Sequence, residues 1–569
     1  MRKLDTDILI LGSGGAGLFA ALHAHQADPA LSLTVAVKGL LGKCGCTRMV
    51  QGGYNVALAR EDSVERHFMD TIEGGKWLPD QELAWKLVTL AIERVHELEN
   101  ELGCFFDRNA DGTVHQKAFA GQTFDRTVHK GDLTGIEIIN RLAEQVWARN
   151  IARLEEHRAV ELIKTRTGDA LAGVLMIDMR TGEYVLVRAK AVLLATGGGP
   201  TMYRYHTPSG DKSCDGLAMA LRAGLPLRDM EMVQFHPTGL LAGAHTRMTG
   251  TVLEEGLRGA GGYLLNGAKE RFMPKYDPLA ERATRDFVSR AMYSEIRKGN
   301  VTPNGGLYIS MAHLGPEKVA KSFKGMVERC ADCGFDLAGG LVEVVPTAHY
   351  MMGGVEFGLD CTTELPGLFV AGEDAGGVHG ANRLGGNGVA NSTVFGGVAG
   401  ETMAAWVQKS GALREPDQAA IVAAVGRCEP KASAKARALE PLRERLYDVM
   451  WEKVGIIRDA AGLRSALSEL DAIAAELANT GIADADRAFN LTWHDWLNLT
   501  SLTQMSRVIA QAALAREDSR GAHFREDFPQ AGPLEASSYT CARLAGERLQ
   551  IGMKPVAFSR VRPGETLLR

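Results

Sequence analysis

The chain has little that would mark it as secreted, fibrous, membrane-spanning or nucleic-acid-binding. Its nine cysteines, among 569 residues, are odd in number and scattered from Cys44 to Cys541, so they form no disulfide framework. The spacing Cys330-Ala331-Asp332-Cys333 lacks the further ligands that a zinc or iron–sulfur site needs, and free thiols in a reducing compartment are expected. No apolar run reaches the ~18 residues of a bilayer span. A net charge of −5 gives no electrostatic case for nucleic acid. Internal repeats and low-complexity stretches are missing. Met1-Arg2-Lys3 followed by apolar residues imitates a signal peptide, but cleavage there would remove the first strand and helix of the fold.

What is present fits a turn-rich α/β enzyme of two to four domains: 45% hydrophobic residues and 65 glycines. The apolar run Asp7–Leu11 ends at Gly12, and a helical pattern begins at Leu18. Gly12, Gly14 and Gly17 stand between them at GxGxxG spacing, with Gly15 and Ala16 in the same turn. The first glycine permits the turn, the second admits a pyrophosphate, and the third lets helix and strand pack closely. Phosphate would then sit on free N–H groups at the positive end of the helix. Leu33–Val37 supplies the next strand at βαβ distance. Lys38 stands where an acidic residue usually holds the ribose. A second apolar strand ends in Ala195-Thr196-Gly197-Gly198, and two such segments favour FAD over NAD.

Further along, Gly42–Asn55 reads as a cofactor loop. Residues 60–165 read as mostly helical, with helices over Glu82–Leu102 and Gly135–Arg149. Strands are expected over Ala159–Lys164, Ala172–Asp178 and Glu183–Ala189, with a turn at Arg180-Thr181-Gly182. From Glu429 the pattern turns to amphipathic helices: Pro441–Arg458, Arg464–Asn479 and Leu499–Arg516.

Several motifs carry a resemblance to the flavoprotein subunits of succinate dehydrogenase and fumarate reductase, a superfamily that includes L-aspartate oxidase. They are Gln234-Phe235-His236-Pro237-Thr238-Gly239, Leu253–Gly262, Arg285–Ala291, His349–Gly354, Val378–Asn387 and Arg516–Pro529. Thr47 and Gln51-Gly52-Gly53 resemble the segment in which that family carries a flavin-bound histidine. Cys46 takes the histidine's place, so the resemblance implies non-covalent FAD, with a Cys46 thioether as the alternative; Lys43 or Arg48 would have to supply the positive field for it.

The resemblance implies a Rossmann-like FAD-binding domain (1–240 and 345–410), an inserted α+β capping domain (241–344), a C-terminal helical domain (411–533) and a tail (534–569). It also implies roles. Asp215, Glu373, Arg383 and Asn387 join the glycine turn, Lys38, Cys46, Thr47, Gln51–Gly53 and Ala195–Gly197 as cofactor-binding residues. His236, His349 and Arg383 clamp substrate carboxylates, while Phe119, Gln122 and Thr123 approach the substrate. Hydride passes to or from flavin N5, and Arg285 moves the proton. Arginine is a poor base because its pKa exceeds 12, so Glu255 and Arg258 form a relay.

Two departures bear on the substrate. Glu254 replaces the family threonine that contacts a carboxylate, and would repel that carboxylate or hold a cation or a proton. Ala260 replaces a glutamate. The expected substrate is a succinate- or fumarate-like acid altered at one end. Electrons would pass to an iron–sulfur partner, as in succinate dehydrogenase, or to oxygen or fumarate, as in aspartate oxidase. A flavin-binding protein without catalysis, serving electron transfer alone, is the third reading. Neither nucleic acid nor direct membrane insertion is expected. The expected location is cytoplasmic, with contact to the inner membrane only through a partner.

Overall fold

A computed structural model describes residues 1–244, 246–431 and 435–568. The remaining residues, among them Arg569 at the end of the tail, lie outside the described ones. The central sheet runs in the order Ala152–Leu154, Leu33–Ala36, Arg2–Leu11, Glu183–Leu194, Leu171–Asp178, His157–Lys164. Its first four strands are parallel, and the last two join by antiparallel pairing. The strand Arg2–Leu11 is buried over Ile8–Leu11 on both faces. The helices Gly15–Ala27 and Asn387–Ser410 pack together on the face of Ile8 and Ile10, and Leu9 and Leu11 enter a second core, as a doubly covered parallel sheet requires.

Glu183–Leu194 is one strand of twelve residues. The sequence suggests a strand ending at Ala189 and a separate run from Lys190, because Arg188 and Lys190 interrupt the apolar pattern. The two halves instead have different neighbours: Glu183–Arg188 pairs with Leu171–Asp178, and Val192–Leu194 pairs with Leu368–Val370. The turn before it closes at Gly182 with φ +73°, a conformation that glycine adopts freely. The register Leu11↔Leu194 ends both strands side by side, which brings the Gly12 turn against Ala195.

A second sheet, Val233–Leu240, Leu341–Met351, Leu307–Ser310, Tyr263–Leu265, is antiparallel and has its own core around Leu253, Phe272, Val288 and Met326. The helix Arg285–Arg297 lies on Val233–Leu240 and is tied to it by Ser289 Oγ donating to the Phe235 carbonyl at 3.0 Å. Toward the C-terminus, helices occupy Glu440–Lys453, Ala460–Ala478 and Leu491–Ala515. The last begins eight residues before the expected Leu499, because Asn490 caps it by accepting from the Trp493 N–H at 2.9 Å. Residues after Leu534 are not a plain tail. Ser538–Ala545 and Arg548–Pro555 form a hairpin whose first strand pairs with Leu227–Arg228. Likewise, the expected helical stretch 60–165 gives way to sheet strands from Ala152.

Candidate active site

One cleft, enclosing about 1760 Å³ with its mouth, runs from the ends of the central strands to the second sheet. Its first half is built from backbone. Gly12 has φ +112°, and a Cβ there would stand 2.1 Å from the Ala195 carbonyl oxygen; a Cβ on Gly17 would stand 2.0 Å from the Gly12 carbonyl oxygen. Both positions therefore exclude any side chain. A Cβ on Gly14 would meet only Thr47 Oγ1, at 3.5 Å, so this wall is open to a ligand. The helix Gly15–Ala27 has no side-chain cap and no acidic residue in its first turn. Thr47 Oγ1 accepts from the Gly15 N–H at 3.0 Å, and the N–H groups that follow in the first turn form a site for phosphate. These features fit a dinucleotide pyrophosphate.

Gly12, Gly14, Gly15 and Ala16 line the cleft, as do Lys38, Cys46, Thr47, Gln51, Gly52 and Gly53. Ala195, Thr196, Gly197, Asp215, Glu373 and Arg383 complete that wall. Gly17 does not reach it and serves packing alone. Asn387 does not reach it either; its side chain joins Asn55, His67 and Thr71 in a buried network at the start of the helix Asn387–Ser410.

Lys38 Nζ donates to Ser213, Asp215 and Asn498 at 3.0–3.2 Å. Burial pushes Lys38 down, while Asp215 opposes the shift. Asp215 also accepts from Arg158 and Ser501, and despite its burial Arg158 and Lys38 hold it well below the usual carboxylate range. The helix Leu491–Ala515 thus helps to fix this end. Burial, followed by Glu373, pushes the Cys46 thiol up to about 12. The cation that acts on it is Lys212, in place of the expected Lys43 or Arg48; Lys212 Nζ donates to the Thr196 carbonyl at 2.9 Å.

Charged side chains from separate segments build the other half. Arg285 donates through Nε and Nη2 to Glu255 Oε2 at 3.1 and 2.6 Å, and through Nη1 to Gln234 Oε1 at 3.0 Å. Glu255 Oε1 accepts from Arg258 Nη2 at 3.1 Å, and Arg258 Nη1 donates to the Glu281 carbonyl. Burial alone would raise Glu255, but Arg285 and Arg258 outweigh it and hold the carboxylate ionised. Arg258 is fully buried behind Glu255 and does not line the cleft.

His236 and His349 face each other with ring centroids 5.4 Å apart. Burial and then Arg285 push both well below the usual histidine range, so both are neutral. Arg383 lies over the Tyr350 ring at 4.3 Å, and burial with Arg285 nearby brings it down to about 10. Among the described residues His349 Nδ1 and Arg383 Nε are buried without partners. An orphaned polar atom in a cleft is costly unless a ligand satisfies it.

Phe119 lines the cleft, but Gln122 and Thr123 do not. Gln122 Nε2 donates to the Gly385 carbonyl at 3.0 Å. Thr123 donates through its backbone N–H and Oγ1 to Asp70 Oδ2 at 3.0 Å. They brace the loop that carries Phe119. Glu254 lines the cleft and forms an ion pair with Lys117. Burial raises its carboxyl, and Lys117 opposes that rise.

Sequence reasoning assigned no role to Lys117, Lys212 or Gln234. Gln234 stands in a motif already singled out. It joins two of the candidates directly, because its Nε2 donates to the Arg383 carbonyl at 2.7 Å while its Oε1 holds Arg285.

Comparison with known proteins gives a consistent result. A family model described as FAD binding domain matches residues 7–389, and one described as fumarate reductase flavoprotein C-term matches residues 443–567. A fumarate reductase (CoM/CoB) subunit of Methanothermobacter marburgensis is 40% identical over 539 residues, covering 93% of this chain and 95% of that protein. The fumarate reductase flavoprotein subunit of Escherichia coli is 34% identical over 550 residues, covering 93% and 89%. A solved structure of an E. coli quinol fumarate reductase FrdA mutant superposes with a TM-score of 0.92 at 32% identity, covering 99% of each chain.

Proposed function

The chain belongs to the fumarate reductase and succinate dehydrogenase flavoprotein family of FAD-dependent oxidoreductases, and from that premise we propose that it oxidises or reduces the CH–CH bond of a succinate- or fumarate-like carboxylic acid. The observation that carries this reading is the meeting, in one cleft, of Arg285 gripped by Glu255 with Arg383, His236 and His349. A substrate carboxylate draws on the two arginines that line this cleft, and an arginine fork gives it direction.

FAD bound along the glycine turn supplies the hydride acceptor and donor. Arg285 gives a proton to the substrate carbon in reduction and takes one in oxidation. A free guanidinium holds its proton too tightly for that task, and the path Arg285–Glu255–Arg258 returns the proton through an ionised carboxylate. Gln234 fixes the orientation of Arg285 by accepting from Nη1. The second sheet and the segment 241–344 act as a cap that keeps water out, which strengthens every charge interaction inside.

FAD is held without a bond to Cys46, because a thiol raised to about 12 is protonated at neutral pH and is no nucleophile. Electrons are exchanged with an iron–sulfur partner; in support, several relatives are named as subunits. Among the described residues no helix is long and apolar enough to cross a membrane, so membrane contact would be made through such a partner.

The test is anaerobic. The FAD-loaded chain is reduced with dithionite and mixed with fumarate and related 2-enoic acids. Reoxidation of the flavin with formation of the saturated acid is expected. If no 2-enoic acid reoxidises it, the reading is wrong.

A further inference from the structure

The cleft wall carries one charge that the proposed chemistry leaves unused. Glu254 is buried, yet it lines the cleft, whereas its ion-pair partner Lys117 does not. Lys117 comes from behind, at the end of the short strand Gln116–Lys117. Its Nζ stands 5.8 Å from the Phe119 ring centroid and donates to the Gly131 carbonyl at 3.4 Å as well as to Glu254 Oε1. Glu254 Oε2 has no hydrogen-bond partner among the described residues. The Glu254 backbone N–H donates to Met326 Sδ at 3.5 Å, which anchors the residue to the core under the second sheet.

The cation therefore neutralises the carboxylate from the far side, and what the cleft meets is a carboxylate oxygen. An ionised carboxylate only accepts hydrogen bonds. On the same cleft stand Arg285, Arg383 and His349, which suit a carboxylate. A ligand that uses both features brings an anion to the arginines and a donor to Glu254. A second carboxylate beside Oε2 would leave acceptors facing acceptors.

We infer that the Glu254–Lys117 pair is a specificity determinant, selecting an acid with one carboxylate beside its CH–CH bond and a nitrogen donor, amide or ammonium, at its far end. This rests on the reading of the site as a CH–CH oxidoreductase. The probe pair is fumarate and its monoamide, which differ only in that end group.

The full-length, FAD-loaded chain is reduced anaerobically, and reoxidation is followed with each compound. Calorimetry measures the binding of succinate and of succinate monoamide to the oxidised protein. The monoamide is expected to be favoured at least fivefold, in kcat/KM and in affinity. Glu254→Gln keeps the shape, adds an N–H donor and frees Lys117, so it should raise kcat/KM for fumarate at least tenfold and erase the preference.

A smaller ratio in the unaltered protein, or a preference for fumarate, overturns the inference while the oxidoreductase reading stands. Reoxidation by neither compound but by another 2-enoic acid overturns the inference alone, and reoxidation by no 2-enoic acid overturns that reading and the inference with it. If Glu254→Gln does not fold, the comparison in the unaltered protein decides alone.

Discussion

At its dinucleotide end the cleft is walled by glycines and backbone, while at its substrate end it is walled by charged side chains. The first wall is dense because two strands end in register, Leu11 beside Leu194, and a Cβ on Gly12 or Gly17 has no space. The second wall is dense in charge because Glu255, Arg285, Gln234 and Arg383 hold one another across 149 residues of sequence. One end is specified by what is left out, the other by what is paired. Damage should therefore separate the two: a change at the first end should cost cofactor, and a change at the second should cost rate.

The largest separation is expected from Glu255→Gln. It removes the carboxylate that joins Arg285 to Arg258, and the loss of a positioned proton path should lower kcat by about 10²–10⁴-fold with flavin content near normal. Measuring turnover per bound flavin checks it; an equal loss of flavin would erase the distinction. Gly17→Ala should act the other way. Its methyl meets the Gly12 carbonyl, and the overpacking should cost about 1–3 kcal/mol. It should appear as flavin lost on dialysis, with turnover per remaining flavin unchanged. The smallest effect is expected from Thr123→Val. It removes one hydrogen bond to Asp70 and should cost about 1 kcal/mol in denaturant unfolding, with kcat changed by less than about twofold if Thr123 only braces the Phe119 loop.

The same contrast governs what can be read from the sequence. The glycine turn is local: strand, spacing and helix all lie between Arg2 and Ala27, so its dinucleotide character was legible. The family and its FAD were legible because whole motifs survive, such as the one spanning Gln234–Gly239. Pairings between distant segments were not. Glu254 could be singled out as a misplaced charge, but its partner Lys117 lies 137 residues away in a stretch with no pattern that points to it. Lys212 was missed for the same reason, and Lys43 and Arg48 seemed nearer to Cys46 only along the chain. The unbroken strand Glu183–Leu194 escaped because its two halves serve different neighbours. The hairpin after Leu534 escaped because no residue of its second strand is fully buried, and its first strand gains its order from pairing with Leu227–Arg228.

The proposed chemistry turns on Arg285 moving the substrate proton. The direct measurement is stopped-flow reoxidation of the reduced, FAD-loaded Arg285→Gln variant by whichever 2-enoic acid the unaltered protein uses fastest. A rate at least about 10³-fold lower is expected, with an unchanged flavin spectrum and substrate affinity reduced far less. Reoxidation at the unaltered rate, with flavin and substrate both bound, would contradict it.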